Sequence, residues 1–448
     1  MMTSNLIVRV DGTDVDFTLG EKISDGGQGE VFRVVDHPNF AIKILNRHED
    51  ESRIAFVSRL DLGDLSIALP IAIVRDEIRV GYLMNLAEDM ETLSGSNIRR
   101  WDFVDPTIDL SETDTESYLN LGGLRRRLGI AANVASTLAS LHSQSLIYMD
   151  LQPNNVMVSS DIRQSATWLI DTDNLTFASK VDRKAYTYGY AAPELLASGM
   201  PTSLSDAHSL AVLVFELLTL THPLSGLASS ELSAENWRAA VRRSEVPYVF
   251  DPNDETNRLP PKRQTFSKTQ LSRELQKIAL QTFTEGLLRP EIRPGVIRWR
   301  DVLFSALDNV VSCSSGCGWT FYRTAAAPYI CPECRELSPD STLLLIYPKG
   351  VEVTHAYRTM VIRDDTQNDI LPRHLWGDYS DTEPVLTVNS DGETYQIEVH
   401  GEVVLTDDQT GERVTQGTSR RGHEGRLLLV KAPNQPDRII KFKAVDSR

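Results

Sequence analysis

The sequence predicts an α+β fold of two lobes, followed by a small cysteine module and an all-β domain. Three observations carry this. The first hundred residues read as short strands, the stretch from Leu124 to Val310 reads as helices, and strands return after Leu343. All four cysteines lie between positions 313 and 334, so one small module uses every thiol of a 448-residue chain. The chain is acidic, with a formal net charge of −16, while 41% of its residues are hydrophobic. That apolar share can bury large cores, which excludes wholesale disorder. The acidity argues against a broad phosphate-binding surface, so a nucleic-acid partner is disfavoured.

Residues 1–90 form the predicted β-rich lobe. Leu6–Val10, Thr18–Ser24, Val31–Asp36, Ala41–Leu45, Ile71–Val74 and Arg79–Met84 are β-branched runs punctuated by Gly, Asp or Pro. One helix is expected over Glu51–Leu60, where Ile54, Val57 and Leu60 fall near a single face. Residues 91–310 form the helical lobe. Leu128, Ala131, Ala135, Leu138 and Leu141 make a stripe of 3.6-residue period, and further helices read over Ser205–Leu220, Glu235–Arg243, Ser267–Leu287 and Gly295–Val310. The polar, Pro-rich stretch Asp251–Gln264 reads as a loop. Residues 311–340 are the cysteine module, and 341–448 the all-β domain, with strands from Leu343–Tyr347 to Ile439–Phe442 and an Asp391-Gly392 turn. Repeats are absent, so solenoids drop out. The longest apolar run, Leu210 to Leu220, is interrupted by Glu216 and too short to cross a bilayer. The N-terminus lacks the pattern of a signal peptide. The expectation is a cytoplasmic protein with no membrane segment.

Chemistry enters between the first strands. In Ile23-Ser-Asp-Gly-Gly-Gln-Gly-Glu-Val-Phe32, Gly26, Gly27 and Gly29 would let a turn approach a polyphosphate with its backbone N–H groups. A plain Gly-rich hairpin reads the same way. Twelve residues past Val31, Lys43 sits inside an apolar strand. A buried lysine needs a charged partner or ligand. Glu51 is the first candidate carboxylate and Glu49 the second, while a lysine reaching solvent from an edge strand is the alternative.

After the long helix comes Tyr148-Met149-Asp150-Leu151-Gln152-Pro153-Asn154-Asn155. Asp150 is placed to accept or orient a hydroxyl proton, and Asn155, five residues on, to hold a metal. Trp168-Leu169-Ile170 then ends an apolar strand in Asp171, with Asp173 close behind, and hard divalent cations take such oxygens.

This series resembles the eukaryotic-like protein-kinase superfamily over about residues 17–310. The order is the Gly-rich loop, Ala41-Ile42-Lys43, Asp150 with Asn155, Asp171, and Ala192-Pro193-Glu194. Asp206, His222-Pro223-Leu224 and Arg293 resemble the remaining landmarks of the helical lobe. The resemblance implies a bilobal kinase-like fold and an ATP- and Mg²⁺-dependent enzyme acting on Ser/Thr rather than Tyr. It assigns phosphate cover to Ser24 through Gly29 with Val31, and pairing with the phosphates and Glu51 to Lys43. It makes Asp150 the base and Asn155 and Asp171 the Mg²⁺ ligands. The departures are specific. Ser24 replaces the first loop glycine, Tyr148-Met149 replaces His-Arg, Gln152 stands where a lysine is usual, and Asp-Phe-Gly has become Asp171-Thr172-Asp173. A nucleotide-binding pseudokinase scaffold is therefore the alternative, and AMP transfer a third reading.

Cys313-x₃-Cys317 and Cys331-x₂-Cys334, thirteen residues apart, suit two knuckles closing on one structural Zn²⁺ in a ribbon. Two disulfides or idle thiols are the other readings. Trp319, Phe321 and Tyr322 in the gap suit a hairpin. In the tail, Arg420-Arg421-Gly422-His423 is either an anion-binding turn or a solvated loop. The departures Tyr-Met-Asp-Leu-Gln-Pro-Asn-Asn and Ile-Asp-Thr-Asp-Asn look like a bacterial kinase group linked to stress and tellurite resistance. That resemblance implies a PP2C-type phosphatase and a von Willebrand A-domain protein as partners, docked by the ribbon and the β domain.

Overall fold

The structure is a computed structural model that describes residues 7–25, 29–46, 51–75, 79–96, 98, 105–323, 330–337, 341–351, 356–364, 366–391, 394–414, 418–419 and 426–445. Gly26, Gly27, Glu49 and the turn at 420–423 lie outside the described residues. The chain divides into two compact units. One comprises Met1–Gly122 and Arg126–Asp301, the other Gly123–Arg125 and Val302–Arg448.

In the first unit, β1 (Ile7–Val10), β2 (Asp16–Asp25), β3 (Gly29–Val34), β4 (Phe40–Leu45), β5 (Ala72–Arg75) and β6 (Val80–Asn85) close into an antiparallel barrel of order β1-β2-β3-β4-β6-β5. Side chains alternate across β4. Ile42 and Ile44 fill the barrel with Val8, Leu19, Val34, Val74 and Leu83. Leu45 packs outside it with Tyr82 and with Ile54 of helix α1 (Glu51–Val57). Lys43 shares the outer side of that alternation, lying in register between Val31 and Tyr82. Gly29 and Gly81 permit the close strand approach here. A Cβ on Gly29 would come 2.3 Å from the Ile44 carbonyl oxygen, and one on Gly81 2.3 Å from that of Lys43.

The rest of this unit is mainly helical. The helix Gly123–Ser143 carries the predicted stripe, and Ser203–Thr219 is buried from Ser205 onward beneath a Thr202 cap that accepts from Leu204 N and Ser205 N. The long helix expected over Ser267–Leu287 is instead Pro261–Thr269, Arg273–Phe283 and Glu285–Leu288. Pro261 opens the first as a tolerated N-terminal residue, and Ser272 caps the second through Leu275 N. So the reading of Asp251–Gln264 as loop ends too late. The sequence reading also passed over the helix Glu112–Asn120, which a Ser111–Asp114 capping box starts.

In the second unit, Val310–Ser312 and Thr320–Tyr322 form a hairpin. Beyond it, Arg358–Ile362, Ser341–Pro348, Arg438–Val445, Leu427–Lys431 and Val404–Asp407 make a five-stranded sheet in that order. Thr366–Ile370, Leu386–Ser390, Thr394–Val399 and Thr418–Ser419 make a four-stranded one. Leu344, Ile346 and Ile362 from the first sheet share a core with Ile370, Leu386, Val388 and Ile397 from the second. The strand Thr366–Ile370 reads Thr-Gln-Asn-Asp-Ile, too polar to stand out in sequence. Its pairing with Leu386–Ser390 specifies it instead.

A buried ion pair ties the helix Val296–Asp308 to this unit's β region. Arg373 reaches Asp308 with two N–H groups at 2.9 and 2.8 Å, and His374 Nε2 lies 3.2 Å from the same carboxylate. Burial alone would raise the Asp308 carboxyl, but His374 and Arg373 hold it well below the ordinary range. A carboxylate depressed in this way stabilises the fold above its unfolded pKa and stops doing so as pH falls through the folded value. Asp308→Asn should therefore cost about 3 kcal/mol at neutral pH in urea unfolding, and the gap to wild type should narrow in acid.

Candidate active site

A cavity of about 650 Å³ lies in the first unit, and Ser24, Gly29, Val31, Lys43, Asp150, Asn155 and Asp171 all line it. These residues come from β2, β3, β4, the loop after the long helix, and the end of the strand Thr167–Leu169. Ala68, Tyr82, Met84, Leu86, Met157 and Ile170 supply apolar wall. Sequence reasoning missed that wall, because apolar residues scattered over several strands read as ordinary core.

Lys43 is only 6% exposed, and its ammonium meets two carboxylates. It hydrogen-bonds Asp171 Oδ1, and Asp173 Oδ2 lies 3.0 Å away. Burial works against its charge, but Asp173 and Asp171 outweigh that and raise its pKa. Burial and then Asp173 push the Asp171 carboxyl up to about 6, against the pull of Lys43. The expected pairing of Lys43 with Glu51 is replaced by this arrangement. Glu51, the first residue of α1, is gripped by Arg75, whose Nη1 lies 2.9 Å from Oε2, and Arg75 also reaches Asp11. The reason is position. Glu51 and Arg75 are both more than one-third exposed, whereas the side chains of Lys43 and Asp173 are buried, 7% and 5% exposed.

The loop carrying Asp150 is held from below. Asp206, fully buried in the helix Ser203–Thr219, accepts from Tyr148 N at 2.8 Å and Met149 N at 2.9 Å and meets His142 Nε2 at 3.0 Å. Met149 takes a left-handed backbone, φ 75°, and so does Asp171, φ 62°. Such conformations are costly for non-glycine residues and persist where surroundings fix them. Here the fixing bonds are visible. The Tyr148 hydroxyl donates to the carbonyl of Ile170, just before Asp171, so one phenol joins the Asp150 loop to the Asp171 loop. Asn155 Nδ2 donates to the Asp150 carbonyl at 2.8 Å. Thr187 Oγ1 donates to Asp150 Oδ1 at 2.8 Å. Thr187, which sequence reasoning did not single out, thus touches the candidate base. Burial raises the Asp150 carboxyl, partly offset by Thr187.

Glu194 and Arg293 form a two-pronged pair at 2.8 and 3.0 Å, with Arg293 buried and also donating to the carbonyls of Leu204 and Gly286. Tyr190 donates to Glu216 at 2.5 Å. These bonds anchor the end of the segment that runs from Asp171 to Glu194.

In the second unit, the Sγ atoms of Cys313, Cys317, Cys331 and Cys334 lie within 4.8 Å of one another. Cys313 and Cys334 are 3.5 Å apart and Cys317 and Cys331 3.8 Å, with all four thiols free, so the disulfide reading fails. The knuckles are built alike. Gly318 follows Cys317 with φ 80°, and Arg335 follows Cys334 with φ 65°. Hydrogen bonding to Ser315 pulls the Cys334 thiol down to about 6.

Comparison with known proteins covers part of the site, with Asp150, Asn155 and Asp171 inside the matched stretch and Lys43 outside it. Residues 124–292 match the family described as the protein kinase domain. That stretch is similar to a protein kinase domain. It is 31% identical over 135 residues to the receptor-like kinase TMK4 of Arabidopsis thaliana, covering 28% of this chain and 14% of that one. Over 234 residues it is 24% identical to the serine/threonine-protein kinase ppk21 of Schizosaccharomyces pombe, covering 47% and 38%. Over 137 residues it is 30% identical to the probable serine/threonine-protein kinase PBL4 of Arabidopsis thaliana, covering 28% and 30%. The chain thus spans well under half the length of these relatives.

Proposed function

We propose that the chain is an ATP- and Mg²⁺-dependent protein kinase that phosphorylates serine or threonine on itself or on a protein partner. The observation that carries this is the convergence of Lys43, Asp150, Asn155 and Asp171 on one cavity. Relatives named as serine/threonine kinases support the acceptor type. Lys43 presents a fixed positive charge to a polyphosphate, and the backbone around Ser24 and Gly29 covers it. Asp150 accepts the hydroxyl proton, oriented by Thr187. Asn155 and Asp171 offer the amide and carboxylate oxygens that hard cations prefer, and they fit Mg²⁺, which when bound neutralises phosphate charge. Phosphoryl transfer asks for little beyond this positioning and charge balance.

A scaffold that binds nucleotide without transferring phosphate is the second reading. The engagement of Glu51 by Arg75 instead of Lys43 favours it. Phosphate transfer from γ-labelled ATP decides between them. Wild type should label, and Asp150→Asn and Asp171→Ala should lose at least about 10²-fold. Equal labelling by Asp150→Asn would contradict the enzyme reading. Because burial raises Asp150 and the base must be ionised, kcat/KM should fall on acidification at a pH above the ordinary aspartate value of about 3.9.

The four cysteines are read as a structural Zn²⁺ site in a ribbon. Tetrahedral Zn–S bonds of about 2.3 Å place sulfurs about 3.8 Å apart, close to the spacings observed. Four thiolates close the site, so its role is structural. Metal analysis should find one Zn per chain, and chelation should lower the melting temperature of the second unit. A chain that purifies with well under one equivalent of Zn would sink this assignment.

The Asp150 and Asp171 loop sequences support placement in the bacterial stress and tellurite-resistance group, with a PP2C-type phosphatase and a von Willebrand A-domain protein as partners. A cytoplasmic location is consistent with the described helices, none of which is long and apolar enough to cross a membrane.

A further inference from the structure

We propose that Asp173, not Glu51, is the positioning carboxylate that holds Lys43 for the nucleotide, an inference that rests on the kinase reading above. Asp173 stands where the related motif has the glycine of Asp-Phe-Gly, a position with no side chain to offer. Its Oδ2 lies 3.0 Å from Lys43 Nζ, and both side chains are buried. The turn Thr172–Asn174 that presents it is itself fixed. Thr172 Oγ1 donates to the Ala68 carbonyl at 2.7 Å, Leu175 N to the Thr172 carbonyl at 2.9 Å, and Arg183 hydrogen-bonds Asn174 Oδ1. Thr172, Asp173 and Asn174 are each 3% exposed or less.

Charge balance gives the reason. A buried ammonium needs a counter-charge at all times. Asp171 cannot be that charge alone, because the same carboxylate is the fit ligand for a divalent cation. With Asp173 present, Lys43 keeps a partner while Asp171 turns to the metal. Glu51 is found instead against Arg75, a residue of β5, and both are more than one-third exposed. The departure from Asp-Phe-Gly and the displaced Glu51 thus become one substitution: a carboxylate moved from helix α1 to the turn after Asp171.

The test is a double-mutant cycle on unfolding in denaturant, which needs no nucleotide, followed by ATP affinity in EDTA and in Mg²⁺. The variants are Lys43→Met, Asp173→Asn, Glu51→Gln, and the doubles with Lys43→Met. Lys43→Met and Asp173→Asn should be non-additive, the double losing much less stability than the sum. Lys43→Met and Glu51→Gln should add. If Asp173→Asn alone fails to fold while the double folds, that is the same coupling in stronger form. In EDTA, where Asp171 can still pair with Lys43, Asp173→Asn should weaken ATP little; in Mg²⁺ it should weaken ATP about tenfold, and no further loss should appear when it is added to Lys43→Met. Additivity of the 43 and 173 changes, coupling of Lys43 to Glu51 instead, or an ATP defect no larger with Mg²⁺ than in EDTA would overturn the proposal. Absence of ATP binding by wild type would defeat the kinase reading, while the unfolding cycle would still decide the pairing.

Discussion

The ammonium of Lys43, buried within a strand, is the constraint on which the site depends. A lysine there is expensive unless carboxylates meet it, and the chain brings two from more than a hundred residues away. Those carboxylates reach it only because the strand Thr167–Leu169 ends at Ile170, whose carbonyl Tyr148 holds. Tyr148 in turn is held through its backbone N–H by Asp206, near the start of a helix buried from Ser205 to Thr219. Fixing one charge therefore requires the barrel, the Asp150 loop and the helical region to be in place together. The left-handed backbones at Met149 and Asp171 are local strain that this network stabilises.

Much of the site was legible because its chemistry is carried by polar residues in a fixed order. Lys43, Asp150, Asn155 and Asp171 stand out against apolar strands, and the structure gathers all four on one cavity. What could not be read was pairing. Glu51 follows Lys43 closely in sequence, which made it the natural partner, but exposure and the reach of Arg75 decide otherwise. Asp173 was legible as an oxygen ligand for a cation and as a departure from glycine, but not as a partner of Lys43, since spacing does not show which carboxylate turns to which charge. Thr187 could not be told from other hydroxyls of its segment until its distance to Asp150 was known.

The fold was legible to a similar depth and for similar reasons. Strands with strong β-branched runs were placed correctly, as were the helices with a clear apolar stripe. Thr366–Ile370 escaped because cross-strand pairing, not composition, specifies it. The break between Thr269 and Arg273 escaped because a serine cap is a weak signal inside a continuous helical pattern. In the cysteine module the spacing alone announced two knuckles, yet nothing in the sequence showed that Arg335 takes the backbone role that Gly318 has in the other.

The central claim is that this cavity receives ATP against the ammonium of Lys43, with its metal on Asp171 and Asn155. Thermal unfolding of the full chain with and without ATP and Mg²⁺ tests it most directly. Ligand at about 100 times its Kd should stabilise the first unit by about 2.7 kcal/mol, a rise of about 5 °C or more in its transition. An unchanged transition at millimolar ATP and Mg²⁺ would contradict the account.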